Sequence, residues 1–140
     1  MANIVPDSFK KELFEAIHDF TASTGDTFRL ALYTTVSGFS TGTTNYITTN
    51  ETSGTGYTAS GTTLTNISPT VAQNIAFVDF ADATFSTATI SASAALIYNT
   101  SNSSKAIVVL DFGGTKTSTN GDFTIQFPAA NSTSAILRIS

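Results

Sequence analysis

The chain has 140 residues, six basic and ten acidic, a formal net charge of −4 and no cysteine. That length suits one domain spanning 1–140 and allows a core to form without covalent or metal staples; the missing cysteines exclude disulfides, thiolate zinc sites and a cysteine nucleophile together. An acidic chain with scattered cations is a poor partner for nucleic acid, which calls for clustered positive charge, and no apolar run approaches the roughly 20 residues of a membrane helix.

The first element is the sharpest helical signal. In "PDSFKKELFEAIHDFT", Phe9, Leu13, Ala16, Ile17 and Phe20 recur at helical spacing, with Lys10, Lys11, Glu12 and Glu15 off that face. Asp7 or Ser8 can cap the start after Pro6, and Gly25 breaks the chain beyond it. The spacing predicts an amphipathic helix over 8–20 that covers a face or edge of a sheet. "MANIVPDSFKKELF" lacks the basic start and apolar core of a secretory signal. The Asn-x-Ser/Thr triplets at Asn50, Asn66, Asn99, Asn102 and Asn131 are therefore read as chance matches in a Ser/Thr-rich chain.

Everything after the helix reads as strands. Abundant Thr, eleven Phe and no Trp favour an all-β domain. "DTFRLALYTT" alternates Phe28, Leu30 and Leu32 against Arg29, Ala31 and Tyr33. The following "SGFSTGTTNYITTNETSGTGYTASG" is mostly loop, with room for a short strand near Tyr46–Thr49. "TTLTNISPTV" and "QNIAFVDFADATF" carry the next strands, with Pro69 between them. In "STATISASAALIYN", Ala88, Ile90, Ala92, Ala94, Leu96 and Tyr98 share one face, and Thr87, Thr89, Ser91 and Ser93 the other. "KAIVVLDFGG" is apolar on both faces, which predicts a central strand; residues 88–112 form a hairpin, "TKTSTNGD" a loop, and "FTIQFP" and "SAILRIS" the last strands. The expected fold is an antiparallel β-sandwich, jelly-roll or Greek-key-like, of seven to nine strands with one N-terminal helix; a small β-barrel is the alternative. Val108, Leu110, Ile90, Leu96 and Phe127 are expected in one core.

Few residues carry a chemical signal. "NETSGTGYTASG" has glycine spacing suggestive of a phosphate loop, but no Lys-Ser/Thr and no following helix pattern. It is read as a surface loop or bulged hairpin around Gly54 and Gly56 with no nucleotide cofactor, anchored by Glu51 and pinned by Tyr57. His18, the single histidine, stands beside Asp19 at the expected helix end. It is read as a helix-end residue at an interface, since no G-x-S-x-G elbow accompanies it. Asp79, Asp82, Asp111 and Asp122 are read as strand-end and turn carboxylates that accept backbone N–H groups, not as an acid pair or a calcium loop. No catalytic, cofactor or metal residue is assigned.

The segments "NETSGTGYTASG", "ALIYN", "VLDFGG" and "FTIQFP", within a pattern covering nearly the whole chain, resemble a family of small virion proteins of tailed bacteriophages. The resemblance implies a non-enzymatic structural protein, made in the host cytoplasm and carried on the virion. The expected role is a head decoration (cement) protein that binds the major capsid protein and itself, as a homotrimer. The alternative is a tail- or fibre-associated module that recognises host glycans through Tyr33, Tyr46 and Tyr57. These motifs are structural in character and bring no active-site residue with them.

Overall fold

A computed structural model describes residues 3–140. One helix, α1 (Asp7–Phe14), precedes seven strands: β1 (Phe28–Tyr33), β2 (Thr62–Thr63), β3 (Asn66–Ala72), β4 (Ile75–Phe80), β5 (Ala83–Asn99), β6 (Lys105–Ile125) and β7 (Leu137–Ile139). They form two antiparallel sheets, one of order β2-β1-β5-β6 and one of order β3-β4-β7. The fold is all-β and sandwich-like, with the helix at its front.

Two apolar clusters lie on opposite faces of the larger sheet. Phe28, Leu30 and Leu32 of β1, Ala95 and Ile97 of β5, and Ile107, Val108 and Leu110 of β6 face the first, together with Phe80 of the small sheet and Phe9 of α1. Phe20 stacks on Phe28 with ring centres 4.5 Å apart and planes 4° from parallel, and Phe80 closes on both rings. Such offset aromatic pairs add to the value of the buried area itself. Ala31, Tyr33, Ala94, Leu96, Tyr98, Ala106 and Val109 form the second cluster, covered by Val36, Phe39, Tyr46 and Ile47 of the long β1–β2 connection. A loop, not a strand layer, therefore roofs that face.

Several expectations need correction. The helix ends at Phe14, because Ala16 turns left-handed (φ 56°) and the Ile17 N–H reaches back to the Glu12 carbonyl. Phe20 still enters the core, but from an irregular segment beyond the helix. Pro6, with no side-chain bond, occupies the N-cap in place of Asp7 or Ser8. No strand forms over 46–49; Asn45 makes an isolated bridge with Lys105. Pro69 lies inside β3, at the irregularity between Ile67 and Thr70, where a missing N–H is tolerated. The true β3–β4 turn is Gln73–Asn74, both left-handed (φ 53° and 63°), as a two-residue type I′ hairpin requires.

The hairpin expected over 88–112 runs from 83 to 125. Residues 115–122, read as a loop, belong to β6 and pair with β5, as Ser91↔Thr117 shows. The single-face alternation of β5 breaks at a register shift between Ala92 and Ala94, opposite the excursion of β6 that carries Gly113 and Gly114. Ala88, Ile90 and Ala92 consequently face the first cluster and Ala94, Leu96 and Tyr98 the second. Leu96 thus leaves the core that Val108, Leu110 and Ile90 share and against which Phe127 packs. Residues 106–110 are buried on both faces as expected, but β6 ends its sheet instead of lying at the centre. Its outer edge is covered by the N-terminal segment: Ile4 and Val109 exchange N–H···O bonds of 2.9 and 2.8 Å, and the Asp111 N–H donates to Asn3 Oδ1.

Candidate functional site

The glycine-rich connection is the most elaborate polar assembly on the chain. Glu51 is its hub. One carboxylate oxygen accepts the Tyr57 hydroxyl at 2.7 Å and the Ser60 N–H at 2.6 Å; the other accepts the Tyr46 hydroxyl at 2.6 Å. The Tyr57 hydroxyl in turn accepts the Leu32 N–H, which ties the loop to β1. Tyr98 donates to the Ser60 carbonyl and Tyr33 to the Ile47 carbonyl. Arg29 donates to the carbonyls of Ser60 and Gly61. All four tyrosines of the chain are thereby committed to holding this connection.

Electrostatics keep those hydroxyls protonated. Burial, then the Glu51 charge, pushes Tyr33, Tyr46 and Tyr57 far above the ordinary phenol range. Burial also raises Tyr98, against the opposing pull of Arg29. A neutral phenol can donate to a carboxylate, and a charge-assisted bond of this kind is stronger than a neutral one. Tyr33 is fully buried and the hydroxyls of Tyr46 and Tyr57 are spent inside the loop, so none presents the free aromatic face with a free polar tip that the glycan alternative assumed.

The glycines serve close packing. Gly56 has φ 81° and lies so near β5 that a Cβ would stand 2.7 Å from Ala88 Cα; a Cβ on Gly61 (φ 78°) would overlap the Leu30 carbonyl. Thr55 bridges Thr89, and β2 follows Gly61 where a phosphate loop requires a helix. Glu51 and Tyr57 therefore occupy the anchoring positions that the sequence suggested. Tyr46 and Tyr98 join them from outside the motif and carry no local sequence signal.

His18 takes a different place from the one expected. Its side chain is completely buried and lies beyond the helix, which ends at Phe14. Nε2 lies 2.7 Å from Glu12 Oε2, and Asn99 Nδ2 lies 2.9 Å from Nδ1. With Asn99 donating to Nδ1, the proton sits on Nε2 and is given to Glu12. Lys105 reaches the second Glu12 oxygen, and Asp26 gathers the side-chain amides of Asn99 and Asn102 and the Asp19 N–H. Asp19 turns to Thr21, whose side-chain and then backbone hydrogen bonds lower its pKa. Among the described residues no Ser or Thr hydroxyl bonds the imidazole, and the arrangement ties the segment after α1 to the β5–β6 turn.

The four aspartates do not converge. Asp82 accepts the Phe127 N–H, Asp111 that of Gly113, and Asp122 that of Thr87, the turn and strand-end roles expected of them. Asp79 is 1% exposed; one oxygen accepts the Phe80 N–H and the other has no partner, and burial raises its pKa. Among the described residues, no three His, Asp or Glu side chains stand together as a metal site would require.

Two open grooves among those on the described residues have largely apolar walls. One, of about 490 Å³, runs along β6 past Phe112, Phe123 and Phe127, with Lys116, Asp122 and Gln126 also lining it. The other, of about 480 Å³, lies between α1 and the small sheet and is lined by Val5, Phe9, Leu13, Phe77, Val78 and Leu137, among others. Of the large exposed apolar side chains, Ile139 on β7 lines the second groove, Val71 on β3 is paired with Ala76, which lines it, and Phe14 on α1 (95% exposed) follows Leu13, which lines it; Ile67 on β3 is the fourth. No helix among the described residues is long and apolar enough to cross a membrane. No protein-family model, no curated protein and no solved structure matches the chain.

Proposed function

We propose that the protein is a non-enzymatic structural component of a tailed-phage virion, a capsid decoration protein that binds the outer head lattice and stabilises it. The observation that carries this reading is the apolar surface around α1, β3 and β7. Exposed large hydrophobic residues concentrated in one region mark a surface made for another protein. The two polar assemblies described above are turned inward onto loops and turns. The Glu51 hub and the His18–Glu12–Asn99 cluster both hold backbone in place and leave no nucleophile or acid pair facing a cavity. A scaffold of this kind acts by adding buried area between neighbouring capsid subunits, and the bound state is stabilised by mass action. Self-association as a homotrimer suits three-fold lattice positions.

The tail- or fibre-associated alternative, with a host-glycan role, draws on the groove along β6. Its phenylalanines stand beside Lys116, Asp122 and Gln126, the mixture of flat apolar and polar groups that a sugar ring uses. Imaging of particles labelled on this protein tests both. Label spread over the head lattice is the expected result; label confined to the tail replaces the first reading with the second, and unlabelled particles overturn both.

A further inference from the structure

We propose that a second copy of this chain covers the groove between α1 and the small sheet, by seating its Phe14 there. Phe14 and the groove belong to one patch. Lys10 and Leu13, one turn back and one residue back from Phe14, both line it. Phe14 itself is 95% exposed at the end of α1, while Phe9 and Leu13 of the same helix turn toward the core. A knob and an apolar hole on one surface make that surface complementary to its own copy.

The area is of the right order. A Phe side chain carries about 150–250 Å², and a seated ring covers a comparable area of groove wall, so two reciprocal contacts remove about 600–1,000 Å². Val71 and Ile139, 70% and 60% exposed beside the groove, extend the contact toward the roughly 1,200 Å² at which specific interfaces begin. Charge does not oppose it. The outward charges of α1 are already matched within the helix, Lys10 with Asp7 and Lys11 with Glu15, so two such helices meet without net repulsion.

This contact rests on the self-association in the reading above and is independent of the capsid. Sedimentation of the purified full chain over a concentration series tests it, with Phe14→Ser, Ala76→Arg and an equimolar mixture of the two. Ala76 is exposed in β4 and lines the groove, so Arg there fills the hole without entering the core. The wild type is expected to associate. Each variant should associate about a hundred- to ten-thousandfold more weakly, because both reciprocal seats are lost and each is worth one unburied Phe side chain. The mixture should regain affinity, because Phe14 of the Ala76→Arg chain meets an intact groove on the Phe14→Ser chain. Thermal melts of both variants matching the wild type, at concentrations low enough to keep every chain dissociated, show that the fold survives. A wild type that stays monomeric, or variants that associate as it does, overturns the contact. A wild type that associates but does not bind isolated heads upholds the contact and removes the capsid reading. Reciprocal seating closes a pair, so pairs uphold it and replace the three-fold part of the reading above; rings of three, which seat each Phe14 in one direction only, overturn the reciprocal contact.

Discussion

Over β1, the second half of β5 and the start of β6 the larger sheet is buried on both faces, whereas the smaller sheet buries only part of β4 and leaves most of β3 and β7 in solvent. Both use the same apolar residue types. In β1, Phe28, Leu30 and Leu32 meet the first cluster while Ala31 and Tyr33 meet the second, so five residues are completely withdrawn from water. In β3, Ile67 and Val71 are left 38% and 70% exposed. The difference teaches that apolar content alone does not locate a core: the first set stabilises the fold, and the second is available for a partner.

The sharpest way to break this contrast is alkaline pH. The tyrosines that hold the long connection over the larger sheet have folded-state pKa values raised by burial and by Glu51. Their contribution is complete below the ordinary phenol value of 10.0. Above it the unfolded chain releases protons that the folded chain keeps, so stability falls as pH rises. Cooperative unfolding is expected above about pH 10, with tyrosinate absorbance appearing together with the loss of β circular dichroism. Full tyrosinate absorbance in a chain that remains folded shows that the hydroxyls are not held as described.

Next in size is Leu96→Ala. Leu96 is wholly buried in the second cluster, and truncation should cost about 2–5 kcal/mol in urea unfolding. The site also tests the register shift at Ala92–Ala94, since it is this shift that turns Leu96 toward the loop roof. A cost below about 1 kcal/mol would place Leu96 in a site that water reaches.

Glu51→Gln should have a smaller effect, about 1.5–3 kcal/mol, because the carboxylate accepts three charge-assisted bonds that a neutral amide accepts more weakly. Amide exchange in residues 50–61 should accelerate more than in β1. Uniform acceleration instead would mean that the connection and the sheet open as one unit.

These regions differ in how far they could be read from sequence. The alternation of Phe28, Leu30 and Leu32 is local, and β1 stands where it predicted. The end of α1 is not legible in that way. Ile17 and Phe20 continue the helical spacing, but Glu12 is held by His18 and Lys105, the latter 93 residues away, and that contact wins over periodicity. Residues 115–122 lack any apolar pattern because that stretch of β6 is mostly exposed; its pairing with β5 is set by backbone bonds and by hydroxyl pairs such as Ser91 with Thr117. Glu51 and Tyr57, six residues apart, were visible as an anchor. Tyr98, 38 residues from the carbonyl it bonds, was not.

The smallest expected effect is on the exposed sheet. Val71→Thr keeps the β-branched shape that suits a strand and exchanges a methyl for a hydroxyl at a position 70% open to water. In the isolated chain no packing is lost and no polar group is buried, so the unfolding free energy should stay within about 0.5 kcal/mol of the wild type. The same substitution on Leu96 would bury a hydroxyl without a partner and should cost several times more. Measuring both by urea unfolding, at protein concentrations low enough to keep the chain dissociated, sets the two sheets side by side. If Val71→Thr costs as much as a core change under those conditions, β3 is packed within the chain, and the apolar surface assigned to a partner is part of the fold instead.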